Sequence, residues 1–201
     1  MQILKSKYKL FFISFLLLFL PIDPPRLLAN QSALEKISLE GYYVKDKLLN
    51  YFSEQVISNY IIDKDLNNEE FIGIGISKNL SKFDYLEIIF ENNKKDYFPI
   101  ALLQGFINFS DNQKCLERKE KILNEISPSF NKNTLRRDDI LSDRTGKNKL
   151  FQTHIFLDYG DTIKLQCIDL DDQYKKENKE FEGFKFIVSS YKYSEYLKLI
   201  N

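Results

Sequence analysis

The spacing of apolar residues changes several times along the chain, and each change predicts a different element. Leu10 to Leu20 is apolar except for Ser14, and Pro21 ends the run. After a polar lead-in, Leu48, Leu49, Phe52, Val56 and Ile57 recur at helical spacing, so Tyr43 to Tyr60 reads as one or two helices. Ser53 followed by Glu54 and Gln55 marks a second helix start, because serine caps free amides and acids favour the N-terminal dipole. Asp63 to Glu70 is a charged loop. Phe71 to Ile76, Asp84 to Glu91 and Tyr97 to Phe109 read as strands, the last two joined by the polar run Glu91–Asp96. Gly105 reads as a bulge or bend, and Pro99 needs an edge or bulge position.

Asp111 to Ile126 reads as a helix with Asp111 as its N-cap. Cys115, Leu116, Ile122, Leu123 and Ile126 form one stripe, interrupted only by Lys119, so Cys115 faces inward. Ser127 to Lys149 is polar, contains Pro128 and Gly146, and has no periodicity; it is expected to be a loop. Two strands follow, Phe151 to Asp158 and Thr162 to Leu170, with Tyr159, Gly160 and Asp161 supplying the turn. With either two-residue turn, His154 and Phe156 share the face of Ile163, Leu165 and Cys167; a three-residue turn reverses this. Asp169 to Glu182 is a loop of mixed charge. Phe184 to Tyr191 is a last strand, leading into a short helix from Ser194 to Ile200. The order predicts an α+β fold, an antiparallel sheet of about five or six strands with helices packed on one face.

The first apolar run bears on compartment. It follows Lys5, Lys7 and Lys9 with no acid among the first nine residues, and it is far shorter than the roughly 20 residues a membrane-spanning helix needs. These are the marks of a secretion signal, with cleavage after Ala29 and an imperfect Leu27 at the −3 position. Residues 1–29 are therefore read as a signal peptide and 30–201 as a single domain. An uncleaved anchor helix is the other reading of the same run. Both place the domain outside the cytoplasm, periplasmic or secreted.

Removing residues 1–29 takes away four basic residues and one acid, which turns a net charge of 0 into −3. The remaining basic pairs, Lys94–Lys95, Arg136–Arg137 and Lys175–Lys176, each have an acid within two residues. Nucleic-acid binding, which needs clustered cations, is not expected. Nor is stable membrane insertion once the signal is gone.

Export also decides how Cys115 and Cys167, the two cysteines of the chain, are read. An even count in an oxidising compartment predicts a disulfide, and a helix lying on the Cys167 face would bring Cys115 over it. The chain-entropy account assigns a loop with 51 residues between its two cysteines about 4 kcal/mol.

Several short stretches together resemble a family of small, uncharacterised exported proteins of Pelagibacter-like marine bacteria. They are Leu48-Leu49-Asn50-Tyr51-Phe52-Ser53-Glu54, Phe83-Asp84-Tyr85-Leu86-Glu87, and Gly105-Phe106-Ile107 leading to Cys115. Thr145-Gly146-Lys147, Gly160-Asp161 and Cys167-Ile168-Asp169 continue the similarity, which covers most of residues 30–201. Leu170 stands where the family leads one to expect a tryptophan. The resemblance implies export and a shared cysteine pair, and brings no activity or ligand.

Candidate chemistry is sparse. A Cys115 or Cys167 nucleophile with His154 as base is the sharpest catalytic idea, but a bonded cysteine has no thiolate, and His154 then reads as structural. Thr145-Gly146-Lys147 lacks the earlier glycine of a phosphate loop, Leu141 standing in its place, and reads as a turn. Asp169, Asp171 and Asp172 could offer oxygens to Ca²⁺ but lack the glycine and distal glutamate of an EF-hand. A single histidine does not assemble a usual zinc site. Tyr191, Tyr193 and Tyr196 could form a contact surface. No catalytic, cofactor-binding or metal residue is assigned. The expectation is a non-catalytic periplasmic domain that binds another protein or an envelope component. The alternative is a periplasmic enzyme of hydrolase type using carboxylates or the Cys–His pair.

Overall fold

Alternating apolar residues in the central segments build one antiparallel sheet of seven strands. The computed structural model describes residues 33–63, 69–131, 134–178 and 181–200; residues 1–29, read above as the signal, lie outside them. The described residues all belong to one compact unit, Ser32–Asn201. A two-stranded ribbon, β1 (Ser38–Leu39) and β2 (Tyr42–Tyr43), precedes helix α1 (Glu54–Asp63). The main strands are β3 (Phe71–Ile76), β4 (Tyr85–Glu91), β5 (Ile100–Asn108), β6 (Leu135–Ser142), β7 (Lys149–Phe156), β8 (Thr162–Asp169) and β9 (Gly183–Ser189). They lie in the order β3-β4-β5-β9-β8-β7-β6. Helix α2 (Asn112–Ile126) follows β5, α3 (Asp172–Asn178) follows β8, and α4 (Tyr191–Ile200) closes the chain.

Local chemistry accounts for the helix starts. The Asp111 carboxylate accepts from the amides of Gln113 at 2.9 Å and Lys114 at 3.4 Å, the expected N-cap. Ser53 Oγ accepts from the Val56 amide at 3.4 Å and opens α1, so the second of the two expected helix starts is real. The first is only a 3₁₀ turn at Leu48–Asn50. Asp171 likewise caps α3, accepting from Gln173, which puts a short helix inside the expected Asp169–Glu182 loop.

Opposed residues of an antiparallel ladder share a face, so the register sorts the side chains. Leu103, Val188, Ile163 and Ile155 form one row across four strands, and Cys167, Phe184 and Leu165 join it on the same face. All are fully buried. Burial of each such side chain contributes roughly 1.5–3 kcal/mol before entropy is charged against it. Helix α2 lies on this closed face. Its Cys115 reaches Cys167 with Cα atoms 5.8 Å apart and the sulfurs at disulfide distance, and Ile122 and Leu123 complete its buried stripe. Lys119, the polar interruption in that stripe, is also buried and exerts its charge on Asp138 of β6. Burial acts to raise the Asp138 pKa, but hydrogen bonds from Thr153 and Arg136 and the charges of Arg136 and Lys119 outweigh it and hold it below the usual range.

Several expectations are corrected here. The sheet has seven strands rather than five or six. The extra one, β6, lies in the stretch read as a loop, because it is an edge strand with no buried face and so shows no apolar alternation. The helices do not all share a face: Phe71 belongs to the face opposite Cys167, and the rings of Tyr193 and Tyr196 from α4 meet it there at 5.0 and 4.8 Å. That contact makes Tyr193 and Tyr196 part of the packing, while Tyr191 is half exposed. Gly105 marks no bulge. The irregularity falls between Ile89 and Phe90, and Gly105 is small because the Phe83 ring occupies the space a Cβ would fill.

Candidate functional site

The turn between β7 and β8 decides what surrounds His154. It spans five residues, Leu157–Asp161, closed by the Leu157 amide donating to the Asp161 carbonyl at 2.9 Å. Tyr159 and Gly160 both adopt positive φ, and the Tyr191 ring lies where a Gly160 side chain would be. Because five is odd, the pairing runs Phe156 with Thr162, Ile155 with Ile163, and His154 with Lys164. His154 and Phe156 therefore stand on the face opposite Cys167. This corrects the two-residue turn, and with it the Cys–His arrangement: the histidine and the cysteines are separated by the sheet, and both cysteines are at disulfide distance.

What His154 does face is a cleft of about 540 Å³ between the open side of β7–β8 and helix α4. Phe156, Leu197 and Tyr191 line it with apolar surface; Thr162, Lys164 and Lys198 add polar and cationic groups. The His154 ring packs on Phe156 with centroids 3.9 Å apart. Its Nε2 is buried and has no hydrogen-bond partner among the described residues. Burial, then the positive charges of Lys164 and Arg137, push its pKa down to about 4 against the opposing charge of Asp139. The imidazole is neutral at physiological pH, in a locally positive field. Neither aliphatic hydroxyl of the cleft, Thr162 or Ser194, is hydrogen-bonded to it; Ser194 Oγ lies 3.2 Å from Ser189 Oγ instead. Glu195 is engaged by Lys198 at 2.6 Å. No nucleophile–base pair is assembled here.

Asp161 holds the cleft's frame. Its carboxylate, 1% exposed, accepts from Lys45 Nζ at 2.6 Å and from the Tyr191 amide at 2.8 Å. One buried group thus joins the turn, the segment after β2 and the first residue of α4. Nothing in the apolar periodicity points to it, since an aspartate after glycine in a turn is ordinarily exposed.

The other motifs resolve into local structure. Asp143 accepts from the Thr145 amide and hydroxyl, making Thr145-Gly146-Lys147 a turn, as expected; that it closes the β6–β7 hairpin was not. Asp171 caps α3 and Asp172 pairs with Lys175 at 2.8 Å. Among the described residues, no group of three or more His, Cys, Asp or Glu side chains is placed to hold a metal ion. No helix among them is long and apolar enough to cross a membrane. No family model, curated protein or solved structure matches the chain, so the reading of function rests on this geometry and the sequence.

Proposed function

We propose that the chain is an exported, non-catalytic binding domain, with the cleft between α4 and β7–β8 receiving an acidic group of another protein or an envelope component. The observation that carries this is the unpartnered Nε2 of a neutral His154, set between an apolar wall and Lys164. A neutral imidazole and an ammonium together suit a carboxylate or phosphate oxygen whose apolar body rests on Phe156 and Leu197. The cysteine pair at disulfide distance is compatible with an extracytoplasmic compartment, and the Lys-rich, short apolar start supports export. Membership of the marine-bacterial family that the sequence resembles belongs to the same proposal.

The test uses the full chain expressed with its leader. The mass of the processed product should correspond to cleavage after Ala29. Immobilised, that product should retain a discrete component from envelope extract, and Lys164→Glu should weaken retention by about tenfold, equivalent to about 1.4 kcal/mol. Retention indifferent to Lys164→Glu would remove the cleft from the reading. Two reactive thiols in the native product would remove the disulfide from this reading.

A further inference from the structure

The outer edge of β6, on which no strand pairs among the described residues, carries a second inference. An edge strand exposes a row of unpaired backbone amides and carbonyls, and proteins usually blunt it with proline, a bulge, a short length or charged side chains. β6 carries the last of these, four charged residues in eight, but none of the others. It is eight residues long, contains no proline or glycine, and pairs with β7 without a break in register. Its outward side chains include Leu135, Ile140 and Leu141, which are 63%, 68% and 51% exposed. Its charges, Arg136, Arg137, Asp138 and Asp139, are balanced rather than of one sign.

The order of those residues is self-complementary when the strand meets its own copy. Two identical antiparallel strands in one continuous sheet are related by a two-fold axis through a residue that faces itself, so only a few registers are available. Centred on Arg137, two arginines meet and Leu135 opposes Asp139. Centred on Asp139, two aspartates meet and Arg137 opposes Leu141. Centred on Asp138, Arg137 opposes Asp139 twice, and Leu135 opposes Leu141 twice. The first pairing extends the existing Arg137–Asp139 ion pair, 2.8 Å, into a square of alternating charges. The second joins exposed leucines on the same face. The remaining cost is Asp138 against its own copy, and each Asp138 already lies beside Arg136 at 2.9 Å and within the field of the buried Lys119. Ile140 rests against the stem of the opposing Arg136.

We infer that the protein forms a two-fold homodimer through antiparallel pairing of β6 with β6 of a second copy, in the register centred on Asp138.

Sedimentation velocity of the processed full-chain product should show a reversible monomer–dimer equilibrium. Arg137→Asp sets like charges opposite each other twice and should raise the dissociation constant about tenfold or more. Combining it with Asp139→Arg exchanges the partners and should restore association. Leu141→Lys should weaken the dimer without reference to the ion pairs, and circular dichroism should be unchanged in all three variants because Arg137 and Leu141 are exposed and Asp139 is only partly buried. Asp138→Cys places the introduced thiol opposite its own copy at a Cα separation of about 4.5–5.5 Å, which suits a disulfide, so oxidation should yield a covalent dimer. A monomer at every concentration overturns the inference. So does a dimer that survives both Arg137→Asp and Leu141→Lys, or a charge exchange that fails to restore association.

Discussion

Both faces of the seven-stranded sheet carry phenylalanine, and it behaves differently on each. On the closed face, Phe184, Leu165 and Ile163 lie in continuous contact beneath α2, and the cysteine pair ties helix to strand. On the open face, Phe106 sits between Tyr85 at 5.5 Å and Phe181 at 5.1 Å with Lys185 Nζ over its ring, and remains partly exposed. Polar side chains bridge neighbouring strands there: Gln104 donates to Glu87 at 2.9 Å and Gln166 to Gln152 at 3.2 Å. Helix α4 covers only part of that face, which leaves the cleft. A phenylalanine alone does not say which face its strand position occupies. The partner across the ladder does.

The largest test of this contrast is truncation of one phenylalanine on each face. Phe184→Ala should cost about 3–5 kcal/mol in urea unfolding, because it leaves a cavity in a filled interior. Phe106→Ala should cost roughly 1 kcal/mol, the ordinary value for a site that water can reach. Equal losses would mean that the two faces are equally packed.

The cysteine pair ranks next. Replacing both Cys115 and Cys167 by alanine should lower stability by about 2–4 kcal/mol, since the bond closes a separation of 52 residues in the unfolded chain. Adding a reductant to the native protein should shift the unfolding midpoint the same way. No shift in either experiment would show that α2 is held by packing alone.

The smallest effect belongs to His154 on the open face, and it should appear as pH dependence. Its folded pKa, about 4, lies below its ordinary 6.5, so the unfolded chain takes up a proton before the folded one does. Stability is then unaffected above about pH 6.5, falls as pH drops towards about 4, and levels off below. Substitution by glutamine should flatten that slope. Because the chain contains one histidine, its ring-proton resonance reports the titration without overlap. A midpoint near 6.5 would place His154 in open water rather than in the cleft.

Much of the fold was legible in the residues. Six of the seven main strands, the α2 cap at Asp111, the α1 start at Ser53 and the inward direction of Cys115 all follow from periodicity and capping chemistry. So does the turn at Thr145-Gly146-Lys147. The candidate site was less legible. His154 was visible as the single histidine, but Lys164, Leu197 and Lys198 were not, because their grouping requires α4 to fold back beneath β7 and β8.

The sequence by itself determined the period of each segment, the partners available to two cysteines, and the self-complementary order of charges in Leu135–Ser142. Only the tertiary structure decided which face each residue serves. Strand side chains alternate with a period of two, so one residue more or less in the turn at Leu157–Asp161 moves His154 across the sheet. Only the fold, too, made a strand of β6: its backbone bonds to β7 hold it there, and no apolar side chain had to be buried to do so.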